Sequence, residues 1–98
     1  MIVRQFLHWL RTAPSGHRAE ATSALARAFL YSNLTESDRA AAEGAMIMLL
    51  DDPSPLVRAM AVWALARLAP DRAAELAGAR SGLEADDAVR AEWLQAAA

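Results

Sequence analysis

The stretch that decides the fold is Val57 to Leu68, VRAMAVWALARL, because it repeats His17 to Ala28, HRAEATSALARA, forty positions earlier. Seven of the twelve aligned positions are identical. Alanine makes up 25 of the 98 residues and raises that count, so shared leucines such as Leu25 and Leu65 are the stronger evidence. A period near forty, built from two segments with helical spacing of apolar residues, is typical of helical hairpins that stack into a solenoid.

The composition fits a small all-α domain. Hydrophobic residues make up 55% of the chain, with only four glycines and four prolines, and this argues against disorder. The basic residues are ten arginines and no lysine, spread along a chain of net charge −2, so the basic stripe of a nucleic-acid-binding protein is absent from the sequence. The apolar N-terminus is interrupted by Arg4 and Arg11 and is too short for a membrane span. We therefore expect a cytoplasmic protein that binds neither nucleic acid nor membrane.

Turn and capping signals divide the chain into six predicted helices. The first turn of a helix is signalled after Thr35, after Ser54 with its following proline, and at Asp86 or Asp87. The six helices are predicted at about 2–12, 17–31, 36–50, 55–68, 70–79 and 87–98. They form three hairpins, and the repeats span about 1–32, 35–69 and 70–98. The third repeat is shortened, since its Val-Arg-Ala motif follows that of the second at an offset of 32 rather than forty.

The apolar pattern also predicts which helices are buried. The third predicted helix is expected to be the most buried, because its run from Met46 to Leu50 is apolar on every side. In the fourth, Val57, Ala61 and Leu65 share one stripe and should face the core. Leu83 is expected to fill the turn before the sixth helix.

The segment Asp51 to Leu68 resembles the second half of a HEAT-like repeat, with its acidic residues, its proline-containing turn and its Val-Arg start of a helix. More narrowly, roughly the first 60 residues resemble the N-terminal part of a domain of unknown function found in alphaproteobacteria. The resemblance implies a bacterial protein and a single HEAT-like domain over 1–98, folded as a right-handed α-α superhelix. It also implies an interaction role, and it supplies no catalytic residues.

Three tryptophans are candidates for an interface. Trp63 points away from the predicted core stripe of the fourth helix, with Met60 and Arg67 beside it, so it can serve as an anchor for a partner. The alternative is that Trp63 covers a neighbouring helix. Trp9 and Trp93 are also candidates, although tryptophan at such positions is more often a core or end-cap residue. Because the terminal helices are apolar, we expect a protein partner or a second copy of the chain, as a homodimer.

Arg58 follows the acidic pair Asp51 and Asp52 at the start of the fourth helix. One interpretation is a row of arginines that grips acidic groups on a partner. The favoured interpretation is an ion pair within the chain that ties the turn to the helix.

Other chemistries find little support in the sequence. His8 and His17 lack ligand-like neighbours, and no nucleophile or phosphate-loop motif occurs, so we expect no metal, no cofactor and no enzymatic activity. Two alternatives stay open. One is a regulatory module that binds nucleic acid or a phosphorylated ligand through arginines of the first two helices (Arg4, Arg11, Arg18 and Arg27). The other is a relative of the HEAT-like lyases that attach pigments.

Overall fold

The computed structural model describes residues 35–97 and, singly, Pro14, His17, Glu20 and Ala24. Residues 35–97 form four α-helices and no strand: α1 (Glu36–Leu49), α2 (Pro55–Leu68), α3 (Pro70–Arg80) and α4 (Asp87–Ala97). They correspond to the third to sixth predicted helices. The first two predicted helices, and with them the first hairpin, lie outside the described residues, apart from His17, Glu20 and Ala24, which are helical.

The helix starts follow from side-chain capping, as the sequence predicts. The Thr35 hydroxyl accepts a hydrogen bond from the Asp38 amide at 3.1 Å, and the Ser54 hydroxyl accepts one from the Val57 amide at 3.4 Å. The Asp86 carboxylate accepts from two amides in the first turn of α4, at 3.0 and 3.1 Å. Each cap pairs an amide that the helix itself leaves without a partner, and this fixes the point at which each of the three helices begins.

Helix α2 lies at the centre of the described structure and packs against α1, α3 and α4. The predicted core-facing side of α2 is confirmed, because Val57, Ala61 and Leu65 are fully buried. The expectation that the third predicted helix is the most buried is wrong. That helix, α1, packs mainly on α2 among the described helices, whereas α2 has three helical neighbours and seven buried residues.

The third predicted hairpin, α3 and α4, closes over the other side of α2. Val89 and Trp93 of α4 are 1% and 2% exposed and complete the core. Leu83, predicted to fill the turn between α3 and α4, is 84% exposed instead. The Leu83 amide donates to the Arg80 carbonyl at 3.0 Å, and the much larger Trp93 lines the space beneath the turn. The interior next to the turn is therefore filled from α4.

None of the four described helices, which are 11 to 14 residues long, is long and apolar enough to cross a membrane.

Candidate interaction surface

One side of α2, next to its fully buried side, carries the side chains Leu56, Met60, Trp63 and Arg67. Their spacing of four, seven and eleven residues from Leu56 places them on one side of the helix, given about 100° of rotation per residue. Leu56 is 58% exposed and Arg67 is exposed, whereas Met60 and Trp63 are partly buried. We call these four residues the α2 stripe. Three of them are the predicted contact residues, and Leu56 extends the set by one turn.

Trp63 has features of both interpretations that the sequence leaves open. Its ring packs against the core, as the covering interpretation requires, yet it keeps an exposed part. The Arg67 guanidinium lies over the ring at 4.0 Å from its centroid and donates to the Trp63 carbonyl at 3.3 Å. A guanidinium in this position is attracted by the negative face of the ring, which contributes about 0.5–1 kcal/mol at exposed sites. Arg67 therefore fixes the ring orientation while staying accessible to a partner.

The other two tryptophans do not join this surface in the described structure. Trp93 is 2% exposed, so the hypothesis that it is a surface contact is corrected: it is a core residue. The reason is that α4 packs on both α2 and α3, and the side of α4 that carries Trp93 faces them. Trp9 lies outside the described residues.

Arg58 is bound to a different carboxylate from the one expected. Its Nε and Nη2 donate to Glu84 at 3.2 and 2.8 Å, and its Nη1 donates to the backbone carbonyls of Asp52 and Pro53 at 2.9 and 3.1 Å. Arg58 contacts the turn before α2 through these backbone carbonyls and not through the expected ion pair. The assignment of its ion pair to the 51–52 acids is corrected, since Glu84 comes from the next hairpin.

The Asp51 and Asp52 carboxylates have separate roles. Asp51 accepts a hydrogen bond from the Arg80 guanidinium at 2.8 Å, which links the turn between α1 and α2 to the end of α3. Asp52 accepts from the Ser54 amide at 2.9 Å and so helps to shape the turn. Asp51 and Asp52 were expected to pair with Arg58 because these residues are close in the sequence. Glu84 could not be predicted as the partner, because the sequence does not show that the turn after α3 folds back beside Arg58.

The electrostatics of Arg58 agree with a structural role. Its hydrogen bond to Glu84 raises the pKa of the guanidinium, burial opposes this, and the charges of Glu84, Asp86 and Asp52 raise it further. The side chains of Arg58 and Glu84 are only 19% and 13% exposed. A pair shielded this well is screened less by salt than a surface pair.

A cleft of about 610 Å³ lies between the α1–α2 turn and the α3–α4 turn, and Arg58 and Arg80 border it. Its walls include Leu50, Leu83 and Trp93 besides Arg58, Arg80 and their acidic partners. Because the guanidiniums are engaged with carboxylates and carbonyls of the protein, the cleft does not offer a free cation to an anionic ligand. Within residues 35–97, no group of three or more histidine, aspartate or glutamate side chains is placed to hold a metal ion.

The comparisons with known proteins agree with the repeat. Residues 44–71 match the family model of the HEAT repeat. No curated protein matches the chain, and no solved structure matches it. The resemblance of the first 60 residues to an alphaproteobacterial domain of unknown function stays a prediction. The matched segment runs from the middle of α1 to the first residues of α3 and contains the whole α2 stripe, so the chain carries a HEAT-like helical repeat at the surface described here.

Proposed function

We propose that the chain is a non-enzymatic module that binds another protein through the α2 stripe. The observation that supports this is the placement of the stripe. Leu56, Met60 and Trp63 lie on one side of α2 and form an apolar strip, in which Leu56 is exposed and Met60 and Trp63 are partly exposed. Apolar and aromatic side chains that cluster on a surface are typical of protein contacts, and HEAT repeats generally mediate such contacts.

The stripe also suggests the chemistry of the partner. Arg67 is the one charged member, at the C-terminal end of the stripe, and its guanidinium donates only to the Trp63 carbonyl among the contacts described for it. A partner segment with an apolar side chain over Leu56 and Met60 and a carboxylate near Arg67 would match both features. Burial of the exposed part of Trp63 and Leu56 would supply most of the affinity, and the carboxylate would set the orientation.

The proposal includes the finer architecture. We propose three hairpins and six helices in a right-handed superhelix, because the sequence of α2 repeats that of the second predicted helix at an offset of forty, and α4 repeats the cap position of α2 at an offset of 32. A cytoplasmic location and the absence of catalysis, nucleic-acid binding and membrane binding belong to the proposal as well. Self-association does too.

The experiment is a selection of partners from a peptide library displayed on phage, followed by binding measurements with variants. Leu56→Ser removes an apolar side chain from the stripe, and Met48→Ser is the matched control. Met48 is 59% exposed against 58% for Leu56, but it lies on α1. We expect selected peptides to lose at least tenfold in affinity for Leu56→Ser and to keep their affinity for Met48→Ser. Equal losses for both variants, or none for Leu56→Ser, would contradict the proposal.

A further inference from the structure

The cleft between the α1–α2 turn and the α3–α4 turn is lined by a buried polar group that the fold leaves without a partner. Trp93 lines the cleft and is 2% exposed. Its indole N–H can only donate, and it finds no hydrogen-bond acceptor in the described part of the chain. Buried donors, the N–H of tryptophan included, are nearly always paired. An acceptor that enters the cleft would complete this bond.

The cleft has the size and the walls of a binding site. Its volume of about 610 Å³ falls within the range of about 300–1,000 Å³ that ligand sites occupy. It lies between two successive hairpins, so its opening does not depend on where the chain ends. Leu50 and Pro53 line it from the α1–α2 turn, and Leu83 lines it from the α3–α4 turn. Leu83 is 84% exposed, so an occupant of the cleft can bury a large apolar side chain.

The charges around the cleft favour a cationic group on the occupant. Three carboxylates and two guanidiniums border it: those of Asp51, Asp52 and Glu84, and those of Arg58 and Arg80. Both guanidiniums are held in ion pairs with these carboxylates. Asp51 uses only its Oδ1 for Arg80, and its side chain is 73% exposed, so its second oxygen can accept from a further donor.

We propose that the cleft binds a peptide segment of a partner protein that carries an apolar residue next to an arginine or lysine. A backbone carbonyl of the segment accepts from the Trp93 N–H, the apolar side chain covers Leu83, and the cationic side chain pairs with Asp51. A polypeptide offers these three groups on adjacent residues, and its carbonyls are strong acceptors. The site is separate from the α2 stripe and has the opposite charge preference, since Arg67 of the stripe favours a carboxylate.

The test follows the indole N–H signals of the isotope-labelled full chain by nuclear magnetic resonance. Trp9→Phe and Trp63→Phe each remove one of the three indole signals, so the remaining signal belongs to Trp93 and its packing is not disturbed. The probe is acetyl-leucyl-arginine amide, and acetyl-leucyl-glutamate amide is the matched ligand of opposite charge. We expect the basic peptide to shift the Trp93 signal downfield until the site is saturated. The acidic peptide should bind more weakly by about tenfold or more, because it meets like charge.

Two variants assign the charge preference to Asp51. Asp51→Asn keeps an oxygen for Arg80 but loses the negative charge, and it should weaken binding of the basic peptide by about two- to fivefold, as expected of an exposed ion pair. Asp71→Asn is the matched control, because Asp71 is an exposed acid in the first turn of α3 and does not line the cleft. Leu83→Ser should also weaken binding, and it changes no charge and no core residue.

A Trp93 signal that moves with neither peptide overturns the proposal, since the acceptor of the indole N–H is then water. Equal responses to both peptides, or equal losses in Asp51→Asn and Asp71→Asn, also overturn it, because the cleft then does not select a cation. Leu56→Ser should bind the basic peptide like the wild type. A loss in that variant would place the peptide on the α2 stripe and contradict the proposal. Failure in the other arms leaves the α2 stripe untouched.

Discussion

The ion pair between Arg58 and Glu84 is predicted to be the most important polar contact between the two described hairpins. Replacement of Arg58 by alanine removes the hydrogen bonds to Glu84 and those to the Asp52 and Pro53 carbonyls. The Glu84 carboxylate, 13% exposed, is then left near Asp86 without its cation. A fully buried polar group without its partner costs about 1–3 kcal/mol, and a charged group costs more. Because Glu84 keeps some contact with water, we expect a loss of about 2 kcal/mol in the free energy of unfolding.

Arg80→Ala is the matched control for this prediction. Arg80 also bridges the two turns, with Asp51 at 2.8 Å, but the Asp51 side chain is 73% exposed. An exposed pair of this kind contributes about 0.2–1 kcal/mol. The assay is urea denaturation followed by circular dichroism, at low salt and at high salt. The Arg80 contribution should shrink at high salt, whereas most of the Arg58 contribution should remain.

The reasoning is refuted if Arg58→Ala loses no more stability than Arg80→Ala, or if high salt removes the difference between them. Either result would mean that the Arg58 guanidinium is solvated in solution. A double variant with Glu84→Gln separates the pair from the carbonyl contacts: Arg58→Ala should cost less when Glu84 is already neutral.

Three further substitutions test other parts of the account by urea denaturation. Trp93→Ala should lower the free energy of unfolding by about 3–5 kcal/mol because it empties the core beneath the α3–α4 turn; a loss under about 1 kcal/mol would place Trp93 at the surface after all. Gly78→Ala should raise stability by about 0.5–1 kcal/mol, since a Cβ there meets nothing within 4 Å and alanine favours the helix; a decrease would reveal a neighbour on that side of α3. Leu56→Ser should change stability by no more than about 0.5 kcal/mol, as expected of an exposed position with no role in the core, and a larger loss would mean that Leu56 packs inside the protein.

The sequence predicts the helices of the described region well because local signals set their ends. Each of three helices begins after a residue whose side-chain oxygen accepts from first-turn amides: Thr35, Ser54 and Asp86. Pro55 adds to this signal, because proline fits the first turn of a helix and disrupts its interior. The core side of α2 is equally local, since the spacing of Val57, Ala61 and Leu65 alone defines it.

The features that the sequence did not predict depend on how hairpins meet. The partner of Arg58 is 26 residues away and becomes its neighbour only when the turn after α3 folds back. The burial of α1 relative to α2 depends on the number of neighbouring helices, which a periodic pattern does not give. Leu83 was expected to fill the turn because it is apolar, yet it lies at a position that the described helices leave uncovered.

The α2 stripe was predicted in part. Met60, Trp63 and Arg67 follow from the helical phase of α2, and the structure adds Leu56 one turn earlier. The helical phase also predicted that Trp63 points away from the core, but the structure buries part of its ring. Trp63→Ala therefore changes both the surface and the packing, and Leu56 is the cleaner position for a test of binding.

The central claim, that the α2 stripe is the surface for a protein partner, is tested most directly by site-specific photo-crosslinking in cells that express the chain. A photo-reactive amino acid is placed at position 56, on the stripe, or at position 48, which is equally exposed on α1. The account predicts a discrete crosslinked product from position 56 and no such product from position 48. The same products from both positions, or a product from position 48 alone, would contradict it.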